Sequence, residues 1–255
     1  AGELEDAAHN LEVRQLVGAA DVVDLARRAA LDQLPAYQRR LLHKQALTVL
    51  AEPPIDPDSV AALAFHANQA GDTDAVIRYG PAAADRASSL RANREAAELY
   101  ALTLRHADTV SAEQKVIWLE RHGFSCYLSG LGEAAISSWR EAVVLRHAMG
   151  DRIGEGEDLH WLSQQLYSLG GTRAATDACA ASLRLLEDVG PCPQLAMTLA
   201  TMAMLAAFDF DPACGDYADR AISLGTQFGD RGVVVRARFF AALATVLSSD
   251  TGWDQ

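Results

Sequence analysis

Basic side chains are scarce in this chain of 255 residues, and lysine occurs only at Lys44 and Lys115. The 34 acidic residues outnumber the 22 lysines and arginines, which gives a formal net charge of −12 at pH 7. A surface with this balance repels the phosphate backbones of nucleic acids. We therefore expect that this segment does not bind nucleic acid directly.

Cysteine is also sparse, and its pattern excludes the common cysteine-based sites. Cys126, Cys179, Cys192 and Cys214 form no CxxC pair and have no histidine at the spacing of a metal site. A thiol on a packed helix behaves as a small hydrophobic group. This pattern favours free thiols in a reducing, cytoplasmic setting over a disulfide framework. Cys192 lies between two prolines, and we expect it to be exposed.

Long apolar runs are missing as well. No secretory leader is visible at the start of the sequence. The most apolar stretch, 195–208, has 14 residues, whereas a membrane-spanning helix needs about 20. This stretch falls at a first-helix position of the repeat described below. We predict a buried core helix there and no association with a membrane.

No motif for catalysis or for a cofactor occurs in the sequence. It contains no G-x-x-x-x-G-K-[ST] loop, no H-E-x-x-H pair and no histidine with a companion nucleophile. Glu155, Glu157, Asp158 and His160 could be imagined as metal ligands, but acidic residues near a helix start are explained by the helix dipole. The glycines between 150 and 156 follow a predicted helix instead of a strand, which excludes a phosphate loop. We predict no enzymatic activity, no metal and no cofactor.

What the sequence does have is a repeat. A small residue, a larger one four positions later and a small one three positions further lie on one face of a helix. This spacing occurs four times, at steps of 39 to 40 residues, and the middle residue becomes smaller along the later copies, from Trp139 to Cys179 and Ala218. Its members are Ala96, Tyr100 and Thr103; Ala135, Trp139 and Ala142; Ala175, Cys179 and Ser182; and Cys214, Ala218 and Ala221.

A second series keeps the same period, because Gly150, Gly190 and Gly229 are also 39 to 40 residues apart. Between these glycines the sequence holds two amphipathic segments joined by a short turn, which predicts a helical hairpin for each repeat. Glycine is typical after a helix because it adopts the left-handed conformation without penalty. We predict an all-α, right-handed superhelical solenoid of hairpins that resemble tetratricopeptide repeats.

The first 55 residues do not keep this period. They predict a short apolar segment at 11–20, a helix at 21–32 and another from Pro35 to about Ala51. Three prolines between 53 and 57 then mark a boundary. We predict an N-terminal helical segment at 1–55, either a cap or the tail of a preceding domain, and a repeat array at 56–255.

The resemblance to tetratricopeptide repeats implies a ligand groove lined by the first helix of each hairpin. The groove positions lie about eight or more residues before the first small residue of the repeated pattern on the second helix. Tyr127 and Tyr167 are one repeat apart, so we expect them to stack in adjacent units. Three tryptophans, Trp118, Trp139 and Trp161, are assigned to the core. The predicted groove residues are Arg78, Asp85, Glu120, Phe124, Tyr127, His160, Gln164 and Tyr167.

Several segments resemble one family more closely. Leu25-Ala-Arg-Arg-Ala-Ala, Leu34-Pro-Ala and Arg39-Arg-Leu-Leu-His43 are similar to the end of the winged-helix region in large LuxR-type, MalT-like regulators of the signal-transducing ATPase class. The segments similar to the helical-repeat sensor of the same proteins are His66-Ala-Asn-Gln-Ala-Gly-Asp72, Asn93-Arg-Glu-Ala-Ala97, and Gly150-Asp-Arg-Ile-Gly-Glu-Gly156 with Leu162-Ser163.

This resemblance implies a sensor and interaction region of a cytoplasmic bacterial transcriptional regulator. An effector or partner, either a peptide, a protein or a small molecule, would bind the repeats and bias neighbouring ATPase and DNA-binding domains. The alternative is a free-standing peptide-binding scaffold. The last predicted helix, Gly232 to about Leu247, has no following partner helix, so we also expect a homodimer through its apolar face.

Overall fold

The protein is described by a computed structural model over residues 34–248, and this part of the chain folds into eleven α-helices and two short 3₁₀ turns. The helices are α1 (Ala36–Leu50), α2 (Val60–Ala70), α3 (Thr73–Ser89), α4 (Asn93–Leu104), α5 (Ala112–Leu128), α6 (Gly132–Met149), α7 (Arg152–Ser168), α8 (Thr172–Val189), α9 (Pro193–Phe208), α10 (Cys214–Gln227) and α11 (Arg231–Ser248). The all-α prediction is confirmed. The predicted segments at 11–20 and 21–32 lie outside the described residues.

The chain divides into two compact units, with the division within α3 between Ala83 and Ala84. In the described part of the first unit, α1 packs on α2. Leu47, Leu63 and Val76 are buried there. The Nδ1 atoms of His43 and His66 lie 2.8 Å apart, and burial lowers the pKa of both imidazoles.

The second unit is an array of antiparallel helical hairpins. Helices α5 and α6, α7 and α8, and α9 and α10 form successive pairs, and each pair also packs on the next. Side-chain caps fix the starts of two first helices. Ser111 Oγ accepts from the Gln114 amide before α5, and Asp151 Oδ1 accepts from the Gly154 amide before α7.

The repeated small–large–small pattern lies on the buried face of the second helices, as predicted. All twelve side chains are at most 2% exposed. The small members allow neighbouring backbones to approach closely, and the larger members fill the space between hairpins. The sequence period therefore locates the inner packing face of the array.

The predicted glycine markers end their helices. Gly150 follows α6 with φ 71°, and Gly229 follows α10 with φ 73°. Both lie in the left-handed region that glycine tolerates. Gly190, after α8, also has a positive φ of 103°.

Helix α9 is the buried core helix that its apolar sequence predicts. Twelve of its residues, from Leu195 to Ala207, are buried, and the apolar ones among them form the largest part of one hydrophobic cluster. No helix between residues 34 and 248 is long and apolar enough to cross a membrane. The four cysteines are free and buried. The expected exposure of Cys192 is wrong, because it is 7% exposed and packs into the α9 cluster.

Candidate functional site

A cleft of about 370 Å³ opens in the second unit, on the side formed by the first helices of the hairpins. Its volume lies in the range of small-ligand sites, roughly 300–1,000 Å³. The lining combines aromatic rings with charged groups. The lining residues are Asp85, Ser88, Tyr100, Glu120, Arg121, Phe124, Ser125, Trp139, Arg146, Glu157, Asp158 and Trp161.

The spacing of residues on two helices brings the lining side chains together. On α5, Glu120 and Phe124 are four residues apart and share one face. On α7, Asp158 and Trp161 are three residues apart and also share a face. Because α5 and α7 are the first helices of adjacent hairpins, each contributes an acidic group and an aromatic ring to the same cleft.

Aromatic rings form one wall of the cleft. The ring of Trp161 stacks on Trp139, with centroids 6.1 Å apart and planes at 13°. Phe124 meets Trp161 edge to face at 5.7 Å, and Tyr127 lies 6.4 Å from Trp161. Trp139 is 1% exposed and Phe124 is 44% exposed. The aromatic wall therefore extends from the buried core, at Trp139, to the solvent, at Phe124.

A first group of charges lies where α3 and α4 border the cleft. Arg121 Nη1 donates to both carboxylate oxygens of Asp85, at 2.7 and 2.8 Å. The hydroxyl of Tyr100 also donates to Asp85. Burial and this hydrogen bond raise the pKa of Tyr100. The charges of Asp85 and Arg121 are therefore already paired with each other.

A second group of charges surrounds Arg146. Its guanidinium donates to Glu120 through Nη2 and to Asp151 through Nη1. Its Nε lies 3.8 Å from Asp158 Oδ2, too far for a hydrogen bond, and has no hydrogen-bond partner. One guanidinium thus faces three carboxylates.

Asp158 is the unusual member of this group. Its side chain is 2% exposed, and its Oδ2 atom has no hydrogen-bond partner. Burial, followed by the negative charge of Glu120, raises the pKa of this carboxyl to about 8. A buried carboxylate oxygen without a donor is costly, so the folded protein holds an acceptor in the cleft that nothing in the described chain satisfies.

Three solved structures are similar to this chain in fold. A signal transduction ATPase with numerous domains from Pyrococcus horikoshii, with a tetratricopeptide repeat sensor, matches with a TM-score of 0.62 and 16% identity, over 96% of this chain and 38% of that chain. Aspartyl phosphate phosphatase F from Bacillus subtilis matches with a TM-score of 0.60 and 10% identity, over 95% of this chain and 64% of that one. Nearly identical TPR-like repeats from Podosopora anserina match with a TM-score of 0.53 and 12% identity, over 67% and 90%.

The fold is that of tetratricopeptide-like repeats. At identities of 10–16% these likenesses show the fold alone. No protein-family model matches the sequence. No curated protein matches it either. The chain spans 38% of the length of the Pyrococcus ATPase.

Four of the predicted groove residues lie in or beside the cleft of this tetratricopeptide-like array. Asp85, Glu120 and Phe124 line it. Tyr127, 41% exposed, lies next to it against Phe124 and Trp161. Tyr127 thus contacts Trp161 of the next hairpin. The repeat pattern predicts instead that Tyr127 stacks on Tyr167.

The other predicted groove residues lie elsewhere. Tyr167 stacks on Phe208 of α9, with centroids 6.0 Å apart. His160 is 1% exposed, with Nδ1 3.4 Å from Thr201 Oγ1. Arg78 belongs to the first unit, where its guanidinium lies 5.3 Å from the ring centroid of Tyr79.

Gln164, the remaining predicted groove residue, lies between α9 and α11. With its amide oxygen turned towards α11, it accepts from Arg236 Nη1 at 3.0 Å. Burial lowers the pKa of this guanidinium. Gln164 and Arg236 therefore form a polar contact away from the lining of the cleft.

The sequence interpretation missed the decisive residues of the cleft. Asp158 was assigned to the helix terminus, yet it is 1% exposed and interior. Trp161 was assigned to the core, yet it is only partly buried and lines the cleft, whereas Trp118 and Trp139 are buried as predicted. One sequence feature could have indicated them. Asp158 and Trp161 are three residues apart on α7, just as an acidic and an aromatic residue, Glu120 and Phe124, share a face of α5 one repeat earlier.

Proposed function

We propose that this chain is the sensor and protein-interaction region of a cytoplasmic bacterial transcriptional regulator. In this proposal an effector or partner binds the cleft between the first helices of the array. Its binding free energy then biases ATPase and DNA-binding domains in other parts of the protein, which requires different affinities in two states. The tetratricopeptide repeat sensor of the Pyrococcus ATPase, which shares this fold, supports the proposal.

The observation that carries the proposal is the composition of the cleft. It joins an aromatic wall, two engaged arginines and a buried carboxylate oxygen without a partner. A few convergent polar groups beside apolar surface are typical of a binding site. In a purely structural core, a buried Asp158 without a hydrogen-bond partner at Oδ2 would only lower the stability.

The proposal also includes negative statements. We propose that the array binds an effector and does not catalyse a reaction. Among residues 34–248, no three histidine, cysteine, aspartate or glutamate side chains gather closely enough to hold a metal ion. We propose that effector recognition needs neither metal nor cofactor, and that nucleic acid is contacted by other domains.

The coding sequence on both sides of this segment tests the regulator context. We expect a Walker loop upstream and a LuxR-type helix-turn-helix downstream. Stop and start codons directly at both ends would contradict the regulator proposal. They would leave a free-standing peptide-binding scaffold, in which the same cleft takes part of the peptide.

Self-association through α11 is a further part of the proposal. Val235, Phe239 and Val246 lie on one stripe of this helix and are 59–68% exposed. A second copy of the chain would cover this stripe. Phe239→Glu places a charge in it and is expected to convert a dimer into a monomer in sedimentation velocity at high protein concentration. Val144→Glu, at an exposed site on α6, should leave the dimer intact, and a monomeric wild type would contradict this prediction.

A further inference from the structure

The charges of the cleft point to the chemistry of its ligand. Four carboxylates, Asp85, Glu120, Glu157 and Asp158, line the cleft together with two guanidinium groups. Carboxylates therefore exceed cationic groups by two when all are ionised. The net charge of −12 for the whole chain adds to the attraction for cations.

Both arginines of the cleft are already occupied. Arg121 is engaged with both oxygens of Asp85. Arg146 is engaged with Glu120 and Asp151 through its two terminal nitrogens. An anionic ligand would have to displace these carboxylates. Two polar atoms of this group remain without a hydrogen-bond partner, the Arg146 Nε donor and the Asp158 Oδ2 atom.

An unpartnered acceptor lies at the floor of the cleft. The Asp158 side chain is 2% exposed and lines the cleft, and its Oδ2 has no hydrogen-bond partner. The nearest donor atom in its ion pair, Arg146 Nε, is 3.8 Å away. A donor that entered the cleft could form the hydrogen bond that this oxygen lacks. A charged donor would form a stronger one.

The aromatic wall adds a second preference. Trp161 and Phe124 border the cleft beside the carboxylates. Aromatic faces attract organic cations and also pack against methylene groups. A carboxylate next to an aromatic wall suits a ligand that carries its charge at the end of an alkyl chain.

We propose that the cleft binds an alkylammonium group, with its nitrogen at Asp158 Oδ2 and its methylene chain against Trp161 and Phe124. The proposal rests on the proposed role of the cleft as an effector site, and it names the ligand class. The group could belong to a lysine side chain of a partner or to a free diamine. Glu157, on the helix position before Asp158, supplies further negative charge at the cleft.

The binding should release a proton near neutral pH. Asp158 faces Glu120 from α5, Arg146 from α6, and Asp151 and Glu157 from the start of α7. Its carboxyl is largely protonated in the free protein, because burial raises its pKa to about 8. An ammonium group favours the ionised form, so the proton leaves when the ligand enters.

Isothermal titration calorimetry of the full chain tests this proposal with three probes. They are 1,5-diaminopentane, the peptide acetyl-Ala-Ala-Lys-Ala-Ala-amide, and the same peptide with norleucine in place of lysine. We expect binding of the diamine or of the lysine peptide, and no binding of the norleucine peptide. Which of the first two binds more tightly shows whether the source is a small molecule or a protein segment. Heats measured in buffers of different ionisation enthalpy should show proton release.

Three variants make the test specific. Asp158→Asn should weaken binding of the ammonium probe by about tenfold or more and abolish the proton release. Glu157→Gln should weaken it less and keep the proton release. Asp188→Asn, at an exposed site on α8, should bind as the wild type does. Circular dichroism spectra should show that all three variants keep the helical fold.

Three results would overturn the proposal. They are no binding of either amine, equal binding of the norleucine peptide, and unchanged binding by folded Asp158→Asn. The regulator context is tested separately by the flanking coding sequence, so it can stand when amine binding fails.

Discussion

Trp139→Ala is expected to lower the free energy of unfolding by about 3–5 kcal/mol, the usual cost of removing a buried tryptophan side chain. Trp139 is 1% exposed and stacks on Trp161. It also fits against Gly123 of α5, where even a methyl group would lie only 3.0 Å from the indole ring. Because the side chain of Trp139 fits closely against its neighbours, the cavity left by its removal can collapse only partly. Urea denaturation followed by circular dichroism measures the change.

Val144→Ala is the matched control, since Val144 lies on the same helix and is 66% exposed. It should change the free energy of unfolding by less than about 0.5 kcal/mol. A loss of less than about 1 kcal/mol for Trp139→Ala would show that the large position of the repeat is not a packing position. The repeat assignment would then lose its physical basis.

Asp158→Asn is expected to make the protein more stable at high pH, which is the second large effect. The pKa of Asp158 rises from 3.8 to about 8 on folding because of burial and then because of Glu120. Between these values the folded protein holds a proton that the unfolded chain has released. The stability linked to this proton is present at low pH and is lost as the pH rises towards 8.

The size of this effect follows from the raised pKa. Each pKa unit corresponds to about 1.4 kcal/mol. From pH 5 to pH 8 the wild type should therefore lose about 3–4 kcal/mol relative to Asp158→Asn. His160 acts in the opposite direction below pH 6.5, because burial lowers its pKa to about 3. Both proteins contain His160, so the difference between their pH profiles removes its contribution.

Urea titrations of both proteins at pH 5, 6, 7 and 8 measure this difference. A constant difference across the range would contradict the buried, protonated state of Asp158. The expected result also has a functional meaning. A residue that destabilises the free protein near pH 8 and is nevertheless present fits a role in binding, since binding sites often keep unsatisfied groups at a cost in stability.

The sequence predicted the helices and the packing face well. The predicted helices from Pro35 to about Ala51 and from Gly232 to about Leu247 begin and end within about two residues of α1 and α11. The reason is that repeat packing is set by residue size at fixed spacing, which the sequence displays directly. The packing role of Ala135, Trp139 and Ala142 can be inferred from their sizes and spacing alone, without knowing which hairpin lies next to them.

The cleft was harder to predict because its chemistry depends on pairs of helices. Glu120 and Arg146 are 26 residues apart, and no sequence spacing shows that they meet. Acidic residues at a helix start are usually solvated, yet Asp158 lies one turn further along, where α7 faces the interior. Its position on the buried side of α7 decides its burial. The division of the cleft into paired and unpaired charges is a result of tertiary structure.

The central claim is that effectors bind the cleft between α5 and α7, and the tryptophan indole signals in a ¹H–¹⁵N NMR spectrum test it most directly. Trp161 and Trp139 both line the cleft, but Trp161 is partly exposed and Trp139 is 1% exposed, whereas Trp118 is buried outside its lining. Titration with the lysine peptide or with 1,5-diaminopentane should shift the Trp161 indole signal most, the Trp139 signal less and the Trp118 signal not at all. Trp161→Phe assigns the signal. Binding that leaves Trp161 unshifted while other signals move would contradict the claim.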